Sequence, residues 1–323
     1  MKARAKTGYA AGTQSRAFGR GRPATLIAVA ATIAILCATV GAASAQEASK
    51  PSSSGGSTAA SGGGSGAGGG SGSSAGSSGL RLKSERTSPR KVFFNGTRKA
   101  TYRYSIAGRR PKDLKIQIVR RSSGRAVRTW RRDNVEPRTK HTIRWAGTNR
   151  QGGETSKGRY VFRVRKPGGG AAKPSRNKKG ARSIRLLPHK FPLRGRHQYW
   201  DGFGAGRHHM GQDVGARCGS KVVAARSGKV QWRGYQAGGA GYYLVIDGKA
   251  TGKDYVYMHL RRKNGPKKGT RVRTGQRIGR VGMTGNSTDC HLHFEIWSPP
   301  GWYDGGNAMR SVTRKLKRWD AWS

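Results

Sequence analysis

Apolar positions along this chain recur mostly with a period of two. In "DLKIQIV" Leu114, Ile116 and Ile118 fall on one side of an extended backbone, and in "RYVFRV" Tyr160, Phe162 and Val164 do the same. Successive side chains of a strand point to opposite faces, so each run predicts a strand with one face in a core. Turn-forming stretches such as "SSGR" and "NRQGG" separate these runs at the spacing of a small antiparallel sandwich. Farther along, "GYYLVIDGKATGKDYVYMHL" predicts two strands joined by a turn, and "VVAARSGKVQW" predicts another pair turning at Ser227 and Gly228. A helical period of useful length appears only in the C-terminal "MRSVTRKLKRW". The predicted fold class is therefore all-β dominated: a small β-sandwich followed by a compact antiparallel β-sheet domain.

Two stretches break this pattern. Residues 1–45 carry Lys2, Arg4, Lys6, Arg16, Arg20 and Arg22 and no acid, then an apolar run from Ala24 to Val40, then "GAASAQ". That is the order of a secretory signal peptide, with Ala43 and Ala45 suiting cleavage before Gln46. The run is also nearly long enough to span a bilayer, so retention as a membrane anchor is the competing reading. Either way the remainder is exported, to a secreted or envelope-associated place. A Ser/Gly-rich tether follows over 46–81, too poor in apolar residues to fold. A basic Gly/Pro linker over 167–182 then separates a sandwich at 82–166 from a second domain at 183–323.

Export changes what the cysteines imply. Cys37 lies within the apolar run after a leucine, unlike the small residue of a lipoprotein signal, which leaves Cys218 and Cys290. In an oxidising compartment such a pair usually forms a disulfide, here closing about 70 residues and worth roughly 4 kcal/mol; two thiolate metal ligands are the alternative. The chain has 65 Lys and Arg against 14 Asp and Glu, a formal charge of +51. That charge must attract polyanions. The basic residues are scattered over both domains and the linkers, which favours adhesion to anionic wall polymers over specific nucleic-acid recognition. Contact with a membrane is expected only if the N-terminal segment is uncleaved.

The chemistry concentrates in the second domain. In "DCHLHFEIW" His291, His293, Glu295 and Trp297 share one strand face while Leu292, Phe294 and Ile296 share the other. In "GRHHMGQDVGA" His209 and Asp213 are four apart, with Gly211 leaving the backbone room to turn; in "YVYMHL" Tyr255, Tyr257 and His259 are expected on one face, the tyrosines as groove wall. Zinc-dependent amide hydrolysis needs three protein ligands, one open position for water, and groups that take a proton and stabilise the tetrahedral intermediate. Two histidines, an aspartate and two spare histidines meet that need.

Taken together, "HMGQDVGARCGSKVVAARSGKV", "YVYMHL" and "GMTGNSTDCHLHFEIW" resemble the lysostaphin-type zinc endopeptidases, the Gly-Gly endopeptidase family that cuts peptide bridges in bacterial peptidoglycan. The resemblance spans about Phe191 to Trp322. It implies His209, Asp213 and His293 as ligands of one Zn per chain, His259 and His291 as catalytic histidines, and peptidoglycan peptides as partner. His208 is the alternative to His209 one register away. Glu295 could orient an imidazole or be a plain structural carboxylate. His141, His189 and His197 have no partner visible in the sequence. Residues Ile143 to Val164 resemble the end of the immunoglobulin-like domain of flagellar hook-cap proteins through Trp145, Gly147, Gly158 and Tyr160, which implies a spacer or binding module. Two other functions stay open: a non-catalytic wall-binding or hydrolase-activating relative, and a secreted polyanion-binding protein.

Overall fold

The structure, a computed structural model, describes residues 79–176, 183–206, 208–262 and 265–323. The signal or anchor segment and nearly all of the Ser/Gly tether lie outside them. Among the described residues no helix is long and apolar enough to cross a membrane.

The described part begins with strands β1 (Leu82–Ser88), β2 (Lys91–Phe93), β3 (Ala100–Ile106), β4 (Lys112–Arg120), β5 (Ala126–Val135), β6 (His141–Trp145), β7 (Gly158–Arg165) and β8 (Ile184–Leu187). They form two sheets, β1-β3-β6 and β2-β8-β7-β4-β5. The alternation read from the sequence decides what lies between them: Ile116 and Ile118 on β4 and Tyr160, Phe162 and Val164 on β7 are buried with Tyr102, Tyr104 and Trp145 from the facing sheet. Tyr102 stacks on Phe162 with ring centroids 4.8 Å apart. The strand β8, which the sequence reading assigns to the second domain, hydrogen-bonds antiparallel to β7 and parallel to β2 within this sandwich.

The strands that follow are β9 (Gln198–Tyr199), β10 (Gln212–Gly215), β11 (Lys221–Val223), β12 (Gly228–Gln236), β13 (Gly241–Gly248), β14 (Lys253–Leu260), β15 (Arg271–Val272), β16 (Arg277–Arg280) and β17 (His291–Trp297), ending in helix α1 (Val312–Asp320). Seven of these strands make one antiparallel sheet in the order β15-β12-β13-β14-β17-β10-β9. Leu292, Phe294 and Ile296 of β17 enter its core with Tyr257 and Leu260. The helix closes that core through Val312, Leu316 and Trp319, spaced so that all three fall on one helical face.

Two expectations are corrected here. The run "VVAARSGKVQW" is not a hairpin: β11 pairs with β16 in a separate two-stranded sheet, while β12 pairs with β13 and β15. Arg226, between them, is wholly buried, and its guanidinium binds Glu154 of the sandwich. The chain is committed to that contact where a hairpin would have turned.

The second correction concerns β14. Tyr255 and Tyr257 are core residues, not groove wall, and the Ala225 N–H donates to the Tyr257 hydroxyl at 2.8 Å. Strict alternation would put His259 in the core beside them. A bulge in the β13–β14 ladder and a positive φ of 55° at His259 turn its side chain to the opposite face. Bulges of this kind re-aim a side chain beside functional sites, and a non-glycine residue in the left-handed region is held there only by its surroundings.

Candidate metal centre

Strand pairing assembles the site. β10 and β17 run antiparallel with Asp213 directly opposite His293 and Gly215 opposite His291. His209 enters from the segment before β10. Gly211 explains how it can: a Cβ there would lie 2.6 Å from His293 Nε2 and 2.8 Å from the Phe294 carbonyl oxygen, so only glycine lets this segment close over β17. The disulfide Cys218–Cys290 ties the chain after β10 to the start of β17, with Cα atoms 5.3 Å apart.

His209, Asp213 and His293 offer ligand atoms that all lie within 4.8 Å of one another. His209 Nε2 is 3.1 Å and His293 Nδ1 2.8 Å from Asp213 Oδ1, and the two ring nitrogens are 3.0 Å apart. His291 Nε2 is 3.6 Å from the same carboxylate oxygen. The His259 ring centroid lies 4.6 Å from that of His291 and 6.0 Å from that of His293.

Each imidazole is anchored through its other nitrogen. His209 Nδ1 lies 2.7 Å from the Gly202 carbonyl oxygen, His259 Nδ1 2.7 Å from that of Thr284, and His291 Nδ1 3.0 Å from that of Asp289. A ring N–H donating to a carbonyl fixes the tautomer, so these three rings present Nε2 to the centre as an acceptor or ligand atom. His293 differs: its Nε2 lies 2.9 Å from Glu295 Oε1, and the Trp297 indole N–H donates to Glu295 Oε2 at 2.6 Å. Glu295 is buried and contacts the side of that ring opposite Asp213.

The electrostatics suit a cation. Burial alone would raise the Asp213 pKa, but hydrogen bonds from His209 and His293 outweigh it and hold the carboxyl below its ordinary range. Burial would lower His293, yet Asp213 and Glu295 on either side bring it up to about 9. His209 is raised by its bond to Asp213. His259, with no carboxylate against it, is pushed down by burial to about 4. Two imidazole nitrogens and a carboxylate oxygen crowded at about 3 Å favour positive charge among them, and this borderline N/O donor set fits zinc.

The remaining histidines are elsewhere. His208 sits at φ 55°, and it is not among the three clustered ligands. His189 stacks on Trp319 with centroids 4.4 Å apart, His197 Nε2 is 3.0 Å from Asp320 Oδ2, and His141 bonds the Glu136 carbonyl. Sequence reasoning missed Thr284, whose carbonyl holds His259 while its hydroxyl accepts the Tyr242 N–H. It also missed Trp200, half-exposed with its ring 5.7 Å from His291, on the edge of a recess of about 840 Å³ lined also by Arg196, Arg217 and the disulfide. Nothing in the local sequence marks either; both reach the site through long-range pairing.

Residues 207–309 match the model of peptidase family M23. The chain is similar to an uncharacterized metalloprotease of Haemophilus influenzae, 40% identical over 112 residues, which are 34% of this chain and 22% of that protein. Lysostaphin of Staphylococcus staphylolyticus is 33% identical over 122 residues, 35% of this chain and 25% of its own length. The peptidoglycan DD-endopeptidase ShyC of Vibrio cholerae is 36% identical over 90 residues, 27% of this chain and 20% of its own. The chain thus spans about a quarter or less of the length of these relatives.

Proposed function

We propose that the protein is a zinc-dependent endopeptidase that hydrolyses peptide cross-links or stem peptides of bacterial peptidoglycan outside the cytoplasm. The observation that carries this is the convergence of two imidazoles and one carboxylate beside two further imidazoles whose outer nitrogens are tied to carbonyls. His209, Asp213 and His293 would hold one zinc. Bound there, zinc supplies a Lewis acid that brings the pKa of water toward neutrality and polarises an amide carbonyl.

The chain's own groups do the rest. His291 accepts the water proton at Nε2, because its Nδ1–H is already engaged by Asp289, and returns it to the leaving amine nitrogen. His259 faces the same space and, with Nδ1–H held by the Thr284 carbonyl and a proton drawn from solvent onto Nε2, would hydrogen-bond the oxyanion as an imidazolium. Glu295 positions His293 by accepting from its Nε2–H. The sandwich, an immunoglobulin-like module in this reading that takes in β8 as well as 82–166, precedes the peptidase domain as a spacer or binding module. The M23 match and the peptidoglycan activity in ShyC's name support the substrate class; the bond cut is read from the products.

The test is release of new amino groups from purified peptidoglycan by the full chain. Release that stops with chelator, and with His291→Ala while zinc is retained, is expected. Release unaffected by either would sink the proposal.

A further inference from the structure

The outer face of the five-stranded sheet carries charge that the peptidase site does not use. Strand register lines it up in rows. Lys91 on β2, Arg185 on β8 and Arg159 on β7 stand side by side, and Arg165 on β7, Lys115 on β4 and Arg131 on β5 form a second row. Arg163 lies between the rows, opposite Gln117. Their sequence neighbours Ile184, Tyr160, Phe162, Val164 and Ile116 fill the sandwich core, so alternation puts all of these basic side chains on the solvent side. Asp113 and Asp133 stand beyond the second row, at the ends of β4 and β5.

Among the described residues, none of these cations pairs with a carboxylate. Lys91 donates to the Trp322 carbonyl and Arg165 to that of Gly169. Like charges directly opposite on neighbouring strands destabilise a sheet, and an anion laid across the rows would relieve that cost. A second feature points the same way. Arg90, Lys91, Arg159, Arg185 and Ser183 line a recess of about 240 Å³, room for a phosphate among four cationic groups and a hydroxyl.

We propose that this face docks a linear anionic polymer of the cell wall that carries phosphate groups along its backbone, one of them seated in the recess. The uncharged residues between the rows include Gln117, Val119, Thr129 and Val161, none of them an aromatic platform of the kind on which bases stack in single-stranded nucleic-acid binders. The polymer's location in the wall rests on the peptidoglycan reading above. The binding itself does not involve the metal centre, so the two can fail separately.

The opposite sheet supplies a matched control. Arg86, Arg103 and Arg144 also face outward, with Arg86 opposite Arg103, but Thr142 stands on the other side of Arg103 and Thr101 opposite Arg144, so no row of three cations forms and none of the three lines the recess. The probe is cell-wall sacculi before and after chemical extraction of their phosphate polymer. Binding of the full chain is measured in chelator, to stop digestion, over a range of salt. Wild type should prefer unextracted wall. The combined Arg159→Gln, Arg163→Gln and Arg185→Gln variant should lose about tenfold in affinity, with a salt slope lower by about three. The combined Arg86→Gln, Arg103→Gln and Arg144→Gln variant removes the same charge and should lose less than about threefold. Unchanged circular dichroism shows that both variants fold. Equal losses in the two variants, equal wild-type binding to extracted wall, or tighter binding to duplex DNA than to wall would each overturn the proposal.

Discussion

Replacing Arg226 with methionine isolates the contact that joins the sandwich to the second domain. The guanidinium side chain is 0% exposed and every one of its N–H groups is used. Nη1 donates to Glu154 Oε1 and the Pro188 carbonyl at 2.9 Å each; Nη2 donates to Glu154 Oε2 at 2.8 Å and the Lys249 carbonyl at 2.7 Å; Nε donates to the same carbonyl at 3.0 Å. The guanidinium carbon also lies 4.1 Å from the centre of the Phe94 ring. Methionine fills much of the volume but leaves the carboxylate and two carbonyls without a donor. Removing one partner of a buried ion pair costs about 3–5 kcal/mol. At this size each kcal/mol moves Tm by about 2–4 °C, so a drop near 10 °C is expected. Denaturant unfolding, followed by tryptophan fluorescence and circular dichroism, should show one transition in wild type. In Arg226→Met it should move to lower denaturant or split in two. Arg226→Lys should recover little, since one ammonium cannot supply the fork that Glu154 accepts. A loss below about 1 kcal/mol would refute the reasoning, because it would mean the pair adds nothing beyond its own desolvation.

Other perturbations follow from the same geometry. Glu295→Gln should weaken zinc binding about 10–100-fold in chelator competition, because the carboxylate acts through His293. Gly211→Ala must push its new Cβ into His293 and the Phe294 carbonyl, and should cost about 1–3 kcal/mol in thermal unfolding along with zinc affinity. His189 is pushed down to about 3 by burial and by the nearby charges of Arg226, Lys315 and Lys253, and it lies 2.7 Å from the Tyr255 hydroxyl. It is therefore neutral in the fold, whereas the unfolded chain binds a proton below about pH 6.5. Stability should fall as pH drops through that value, by about 1–2 kcal/mol between pH 7 and 5, and His189→Gln should flatten this part of the pH profile.

The extent to which this arrangement can be read in the sequence depends on how local its causes are. Alternation in "HLHFEIW" places His291, His293 and Glu295 opposite Leu292, Phe294 and Ile296, and the core cluster agrees. A period-two pattern carries that information within one strand. The spacing of His209, Gly211 and Asp213 likewise follows from a short turn against β17. His259 defeats the same reasoning because its face is decided by a bulge against Tyr243 on the neighbouring strand. The separation of β11 from β12 is set by Arg226 reaching Glu154, 72 residues away. The carbonyls of Gly202 and Thr284 that orient two imidazoles leave no side-chain signature at all. The basic rows are invisible along the chain, since their members come from β2, β4, β5, β7 and β8 and meet only through sheet order.

The central claim is most directly tested by metal analysis of the full chain beside its Asp213→Ala variant. The account predicts one zinc per wild-type chain, and none in the variant, whose His209 and His293 lose the carboxylate they share. Wild type without zinc, or a variant that keeps it, would contradict the assignment of His209, Asp213 and His293 as the ligands.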